Sequence, residues 1–104
     1  MIIYFFKFFM ANEISPDENE YIYLLKTNKN IYKVGKTKQE NLFNFPDDSN
    51  VLLCILCKDC DNKQKRILKE FREKFIHRKF IDLEYFEGDP NNMINIILEE
   101  IIKK

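Results

Sequence analysis

Apolar and polar positions change their spacing at definite points along this chain. Residues 21–37 read YIYLLKTNKNIYKVGKT, two short runs rich in Tyr, Ile, Leu and Val on either side of a polar TNKN. Runs of that length around a turn sequence predict a β-hairpin. VLLCILCK at 51–58 is apolar at consecutive positions, which predicts a strand covered on both faces and therefore central in its sheet. From Asp61 the spacing becomes helical: Ile67, Leu68, Phe71 and Phe75 recur on one side, while Lys65, Lys69, Arg72 and Glu73 face away. LEYFEG at 83–88 predicts a short extended piece. Asp89-Pro90 then opens a second helix with proline in its first position, and Ile94, Ile97, Leu98 and Ile101 form its apolar stripe. Between hairpin and central strand, KQENLFNFPDDS leaves room for a short helical turn before Pro46. There is no internal repeat and no low-complexity tract. This order predicts an α/β (α+β) fold, a small antiparallel three-stranded sheet flanked by helices.

The first ten residues, MIIYFFKFFM, are apolar except for Lys7. A membrane span needs roughly 20 apolar residues, and neither a basic start nor a small-residue cleavage site marks a signal peptide. The run predicts an extra strand or a hydrophobic flap docked on the domain, and Met10 offers an alternative start. Residues 12–20, NEISPDENE, are acidic and interrupted by Pro16, as in a linker. The chain thus divides into an apolar segment with an acidic linker (1–19) and one domain (20–104), large enough for a modest core.

Hydrophobic content of 45% and ten phenylalanines argue for a globular fold over disorder. The formal net charge is zero, but its distribution is uneven. Five lysines (26, 29, 33, 36 and 38) fall between Lys26 and Gln39 with no acid among them. A neutral protein with one basic face attracts a polyanion locally; the plain alternative is a solvated loop and strand edge.

Cys54, Cys57 and Cys60 have the CxxCxxC spacing of zinc and iron–sulfur ligands. In a strand, however, Cys54 and Cys57 point to opposite faces and cannot chelate one ion. There is no fourth cysteine, and His77 is the only histidine. The competing readings are a metal at Cys57, Cys60 and His77, or small apolar fillers and a loop thiol in a reducing compartment. On the second reading His77 is a solvent-side cation near a helix C-terminus.

Tyr21-Ile22-Tyr23, followed by Lys33-Val34-Gly35-Lys36-Thr37, resembles the paired signature of the GIY-YIG nuclease superfamily. The closer likeness is to its branch in phages and large DNA viruses, where the second motif reads K-[IV]-G-x-T. FPDDS, CKDCDN, the helix through Phe71 and Phe75, and Glu84-Tyr85-Phe86-Glu87-Gly88 extend the resemblance over residues 20–102.

The resemblance implies metal-assisted hydrolysis of a phosphodiester. A first-motif tyrosine activates water, and a second-motif residue supports it. An arginine on the following helix meets developing phosphate charge, and a glutamate on the next long helix holds one divalent cation such as Mg²⁺. Tyr23 matches the first tyrosine. Lys33 stands at the second-motif tyrosine position, and Gly35 is the motif glycine, bare so that a phosphate can approach. Tyr32, beside Lys33, is a vestigial phenol expected on the opposite face.

Two positions depart from the family pattern. The arginine is expected near Phe43, and residues 39–49 contain none. The metal ligand position carries Gln64, whose neutral amide is a far poorer ligand for Mg²⁺, and Glu70 lies too far round the helix to substitute. Gln64 also has a structural role open to it, as the third helical residue of a capping box with Asp61 as N-cap.

The sequence therefore predicts a catalytically degenerate nuclease-like domain. It would bind DNA through Lys26, Lys29, Lys33, Lys36, Lys38 and Arg66, with no cofactor, or Mg²⁺ if active. One alternative is an active Mg²⁺-dependent DNA endonuclease, with Arg66 or Glu84 supplying the missing groups. Another is a non-enzymatic interaction module that meets a protein partner through residues 1–10. All three suit an intracellular, reducing location, the cytoplasm or nucleus of a host cell if the protein is viral.

Overall fold

In a computed structural model, residues 4–6, 20–28, 30–38, 45 and 50–102 are described. The elements are β1 (Tyr4–Phe6), β2 (Glu20–Asn28), β3 (Ile31–Lys38), β4 (Asn50–Cys57), α1 (Cys60–Lys74), β5 (Ile76–His77), β6 (Tyr85–Glu87) and α2 (Pro90–Ile102). The strands form one sheet in the order β1-β4-β2-β3-β6-β5, antiparallel except where β1 runs parallel to β4. The fold class is α+β.

The expected three strands are the centre of this sheet, with β2 between β3 and β4. The sheet is wider than expected, because β6 and β5 continue it beyond β3 and β1 extends it beyond β4. Strands of two or three residues carry no readable periodicity, so only their pairing reveals them. β1 makes part of the apolar N-terminal segment an extra strand, with Tyr4 opposite Leu53 and Phe6 opposite Ile55. The short helical turn expected between β3 and β4 lies outside the described residues, apart from Phe45.

Alternation in β2, β3 and β4 sorts the core into two layers. Ile22, Leu24, Tyr32, Val34, Leu53, Ile55 and Cys57 meet Ile67 and Phe71 of α1 and Met93, Ile96 and Ile97 of α2. Both helices thus cover the same face. Phe86 joins them, its ring edge-to-face with Phe71 at 5.2 Å. On the other face Tyr21, Tyr23, Leu25, Cys54 and Leu56 are buried, with Phe45 and Val51 packed against them. Burying each such side chain contributes about 1.5–3 kcal/mol. The two-sided burial of β4 follows from its central place.

α1 ends at Phe75, whose N–H still reaches Phe71 O at 2.8 Å while its backbone turns extended into β5. The Phe75 ring fills the space where Gly88 would carry a Cβ. Asp89 caps α2, its carboxylate accepting the Asn91 N–H at 3.0 Å. The α2 stripe is rotated from the expected one: Met93, Ile96, Ile97 and Glu100 are its buried residues, while Ile94, Leu98 and Ile101 are half-buried. Glu100 is acceptable there because Arg66 of α1 donates to its carboxylate. At the far end of α2, Lys63 Nζ donates to Ile101 O at 3.4 Å, a cation placed on a helix C-terminus. No helix among the described residues is long and apolar enough to cross a membrane.

Candidate functional site

Tyr23 and Gly35 are cross-strand partners on the face away from the helices. The Tyr23 ring lies across the Gly35 backbone, so a Cβ at residue 35 would collide with the phenol oxygen and ring carbons. Gly35 does not have a positive φ; it is required for space. The close approach that the resemblance reserves for a phosphate is taken here by the chain's own tyrosine. Phe45 packs edge-on against the same ring, with centroids 5.0 Å apart.

Lys33, two residues before Gly35, shares that face. Its ammonium lies 6.0 Å from the centre of the Tyr23 ring, 5.8 Å from that of Tyr85 and 4.0 Å from Glu84 Oε1. Burial favours the neutral amine, but Tyr23, Tyr85 and Glu84 together outweigh it and raise the Lys33 pKa. Burial raises the Tyr23 phenol, Lys33 offsets this only in part, and Glu84 and Tyr85 add to the rise. At neutral pH the pair is an ammonium beside an un-ionised phenol. Such a phenol donates hydrogen bonds and is a poor general base.

Glu84 joins this group to α1. Its Oε2 accepts from Gln64 Nε2 at 2.6 Å, and the same nitrogen donates to Val34 O at 3.2 Å. The Val34 N–H donates to Glu84 O at 3.0 Å. β6 begins only at Tyr85, so the Glu84 backbone and the Gln64 amide satisfy the edge of β3 beyond it. The expected capping box does not form. α1 begins at Cys60 with Asp59 as N-cap, and the buried Gln64 side chain turns to the sheet. Two acceptors facing Gln64 fix its amide with nitrogen toward them.

A continuous chain of contacts therefore runs Tyr23–Lys33–Glu84–Gln64. This donor set does not fit Mg²⁺. Gln64 turns a donor, not an oxygen, toward Glu84, and the carboxylate is held by that amide and by an ammonium. Among the described residues no group of three or more His, Cys, Asp or Glu is placed to hold a metal ion.

The lysines expected on one basic face are divided between two. Lys33 pairs with Leu25 and shares the Tyr23 face, whereas Lys36 pairs with Ile22 and Lys26 with Tyr32, on the helix face. Lys38 follows the parity of Lys36, and Lys29 lies outside the described residues. Lys36 pairs with Asp61, and Arg66 is paired with Glu100. Tyr32 is buried on the helix face, away from Lys33 as alternation requires, and burial raises its phenol with Asp89 adding to the effect.

Cys57 and Cys60 share the helix-side cluster while Cys54 faces the other way. His77 is four strand positions from β4, about 19 Å at the usual strand spacing. Cys57, Cys60 and His77 therefore do not form a metal site. His77 stands in β5 rather than at the end of α1: it pairs with Phe86, stacks on that ring at 4.7 Å, and its Nε2 lies 2.9 Å from Leu83 O.

Sequence reasoning missed the apolar turn joining β5 to β6. Ile76, Phe80, Ile81 and Leu83 are exposed, Phe80 at 97%, beside Arg78 and Lys79. Its own hydrogen bonds build the turn, Ile81 N–H to Arg78 O at 2.9 Å and Leu83 N–H to Asp82 Oδ1 at 2.6 Å. The signal was present in the run FIDL, which has no helical or strand period. Comparison of the chain with protein-family models, curated proteins and solved structures gives no match in any of the three.

Proposed function

We propose that this chain is a GIY-YIG nuclease-like domain that binds nucleic acid and has lost hydrolysis. The supporting observation is the contact chain Tyr23–Lys33–Glu84–Gln64. It links residues at which the resemblance looks for catalytic groups, with Gln64 donating where the resemblance looks for a metal-binding carboxylate. Tyr23 is held as a neutral phenol, which suits a hydrogen-bond donor to an oxyanion better than a base. Lys33 retains its charge, although Glu84 neutralises part of its field, so phosphate contact is weak and salt-sensitive.

The test combines binding and cleavage on one preparation. Duplex and single-stranded DNA should shift at low salt, and each phosphate neutralised should contribute about −0.9 to the log–log salt slope on duplex. Plasmid should remain uncut with Mg²⁺ or Mn²⁺. Cutting that disappears in Tyr23→Phe would restore the active endonuclease. No binding at low salt would leave the interaction module, a reading favoured by the exposed apolar turn at Phe80, Ile81 and Leu83, which suits a protein partner with an apolar cleft.

A further inference from the structure

Cys57 ends β4 and Cys60 begins α1, with only Lys58 and Asp59 between them. Asp59 adopts a left-handed conformation, φ 53° and ψ 46°, uncommon for a residue with a side chain. That reversal folds the chain back so that both cysteines lie in the helix-side cluster. Cys57 Sγ also donates to Lys58 O at 3.3 Å. Cys54 lies on the opposite face of β4 and takes no part. A Cys-X-X-Cys pair at a strand-to-helix junction, with both residues in one buried cluster, has the spacing of an exchange-competent dithiol.

We propose that Cys57 and Cys60 form a redox-active pair that cycles between two thiols and one intramolecular disulfide by exchange with small disulfides such as oxidised glutathione. Cys57 is the attacking sulfur. The hydrogen bond from Cys60 holds its thiol below the usual cysteine range against the opposing effect of burial; Lys63 assists, and Asp59 and Glu20 oppose. The same hydrogen bond and burial push Cys60 up, so it keeps its proton while Cys57 reacts.

In the first step the Cys57 thiolate bonds to one sulfur of the small disulfide and expels the other as a thiolate. The Cys60 proton passes to that leaving thiolate. Cys60 sulfur then attacks Cys57 sulfur and expels the second small thiolate, which takes up the proton released when Cys57 ionised. The pair loses two electrons and two protons, and one small disulfide becomes two thiols. Cys57 and Cys60 are only 3% and 4% exposed, which favours small oxidants reaching them through the exposed Lys58–Asp59 turn over docking of a protein oxidant.

The full-length chain would be equilibrated across glutathione redox buffers, acid-quenched, alkylated with N-ethylmaleimide and weighed intact. Reduced protein should take up three maleimides and oxidised protein one, at Cys54, with reversal on return to reducing buffer. Cys54→Ala should switch at the same glutathione ratio, and Cys60→Ser should stop as a mixed disulfide on Cys57. Three reactive thiols at every ratio in the native protein, or a disulfide that includes Cys54, would overturn the proposal. So would a Cys60→Ser chain that takes up no glutathione while wild type oxidises.

Discussion

The Tyr23 ring fills the volume above Gly35 in which any other residue would place its Cβ. The two are direct partners across β2 and β3, so neither can change without the other. Gly35→Ala should cost about 1–3 kcal/mol, the range for overpacking a closed site. Tyr23→Leu should remove much of that cost, so a double-mutant cycle should show coupling between them. Strictly additive denaturant midpoints would show that Gly35 serves something other than this ring.

Gln64→Glu tests the opposite end of the contact chain. It replaces a donor by an acceptor against Val34 O and the Glu84 carboxylate, and should destabilise the fold at neutral pH by about 1–3 kcal/mol. Two facing carboxylates raise the pKa of one of them. A carboxyl raised on folding costs stability above its unfolded pKa, so the deficit should shrink as pH falls through the raised value. Mn²⁺ should stabilise this variant and not the wild type, read as a metal-dependent shift in Tm. An equal response in both would mean that Glu84 does not face residue 64.

Arg66→Ala should destabilise through Glu100, which is 6% exposed and loses its guanidinium. Because Arg66 itself is half-exposed, about 1–2 kcal/mol is expected rather than the full cost of a buried ion pair. Glu100→Gln in the same background should recover part of it, as measured by urea denaturation. A change in DNA affinity with no change in stability would instead make Arg66 a direct contact.

Alkaline pH should weaken the fold through Tyr23 and Lys33 together. Both have folded pKa values above their ordinary ones, so the native state holds protons that the unfolded chain releases first. Their contribution is fully present below about pH 10 and is lost as pH rises through the folded values. Tyr23→Phe should flatten the decline of urea midpoint as pH rises above about 10. An unchanged slope would remove Tyr23 from this coupling.

The sequence by itself determined the hairpin, the central strand and both helices, because each is written in the spacing of neighbours along the chain. Alternation was enough to separate Cys54 from Cys57 and Tyr32 from Lys33, and Asp89-Pro90 marked the start of α2. Only the tertiary structure decided where the polar groups went. Gln64 suited a capping box locally, yet the open edge of β3 beyond β6 offered it two acceptors. The lysines formed a cluster in sequence, and a strand period of two divided them between faces. β5 and β6 are too short to carry a period and exist as strands through pairing with each other and, for β6, with β3. Local order is set by residues a few positions apart, whereas a hydrogen-bonding partner is set by whatever the fold brings across the gap, here Val34 and Glu84 to a glutamine 30 and 20 residues away.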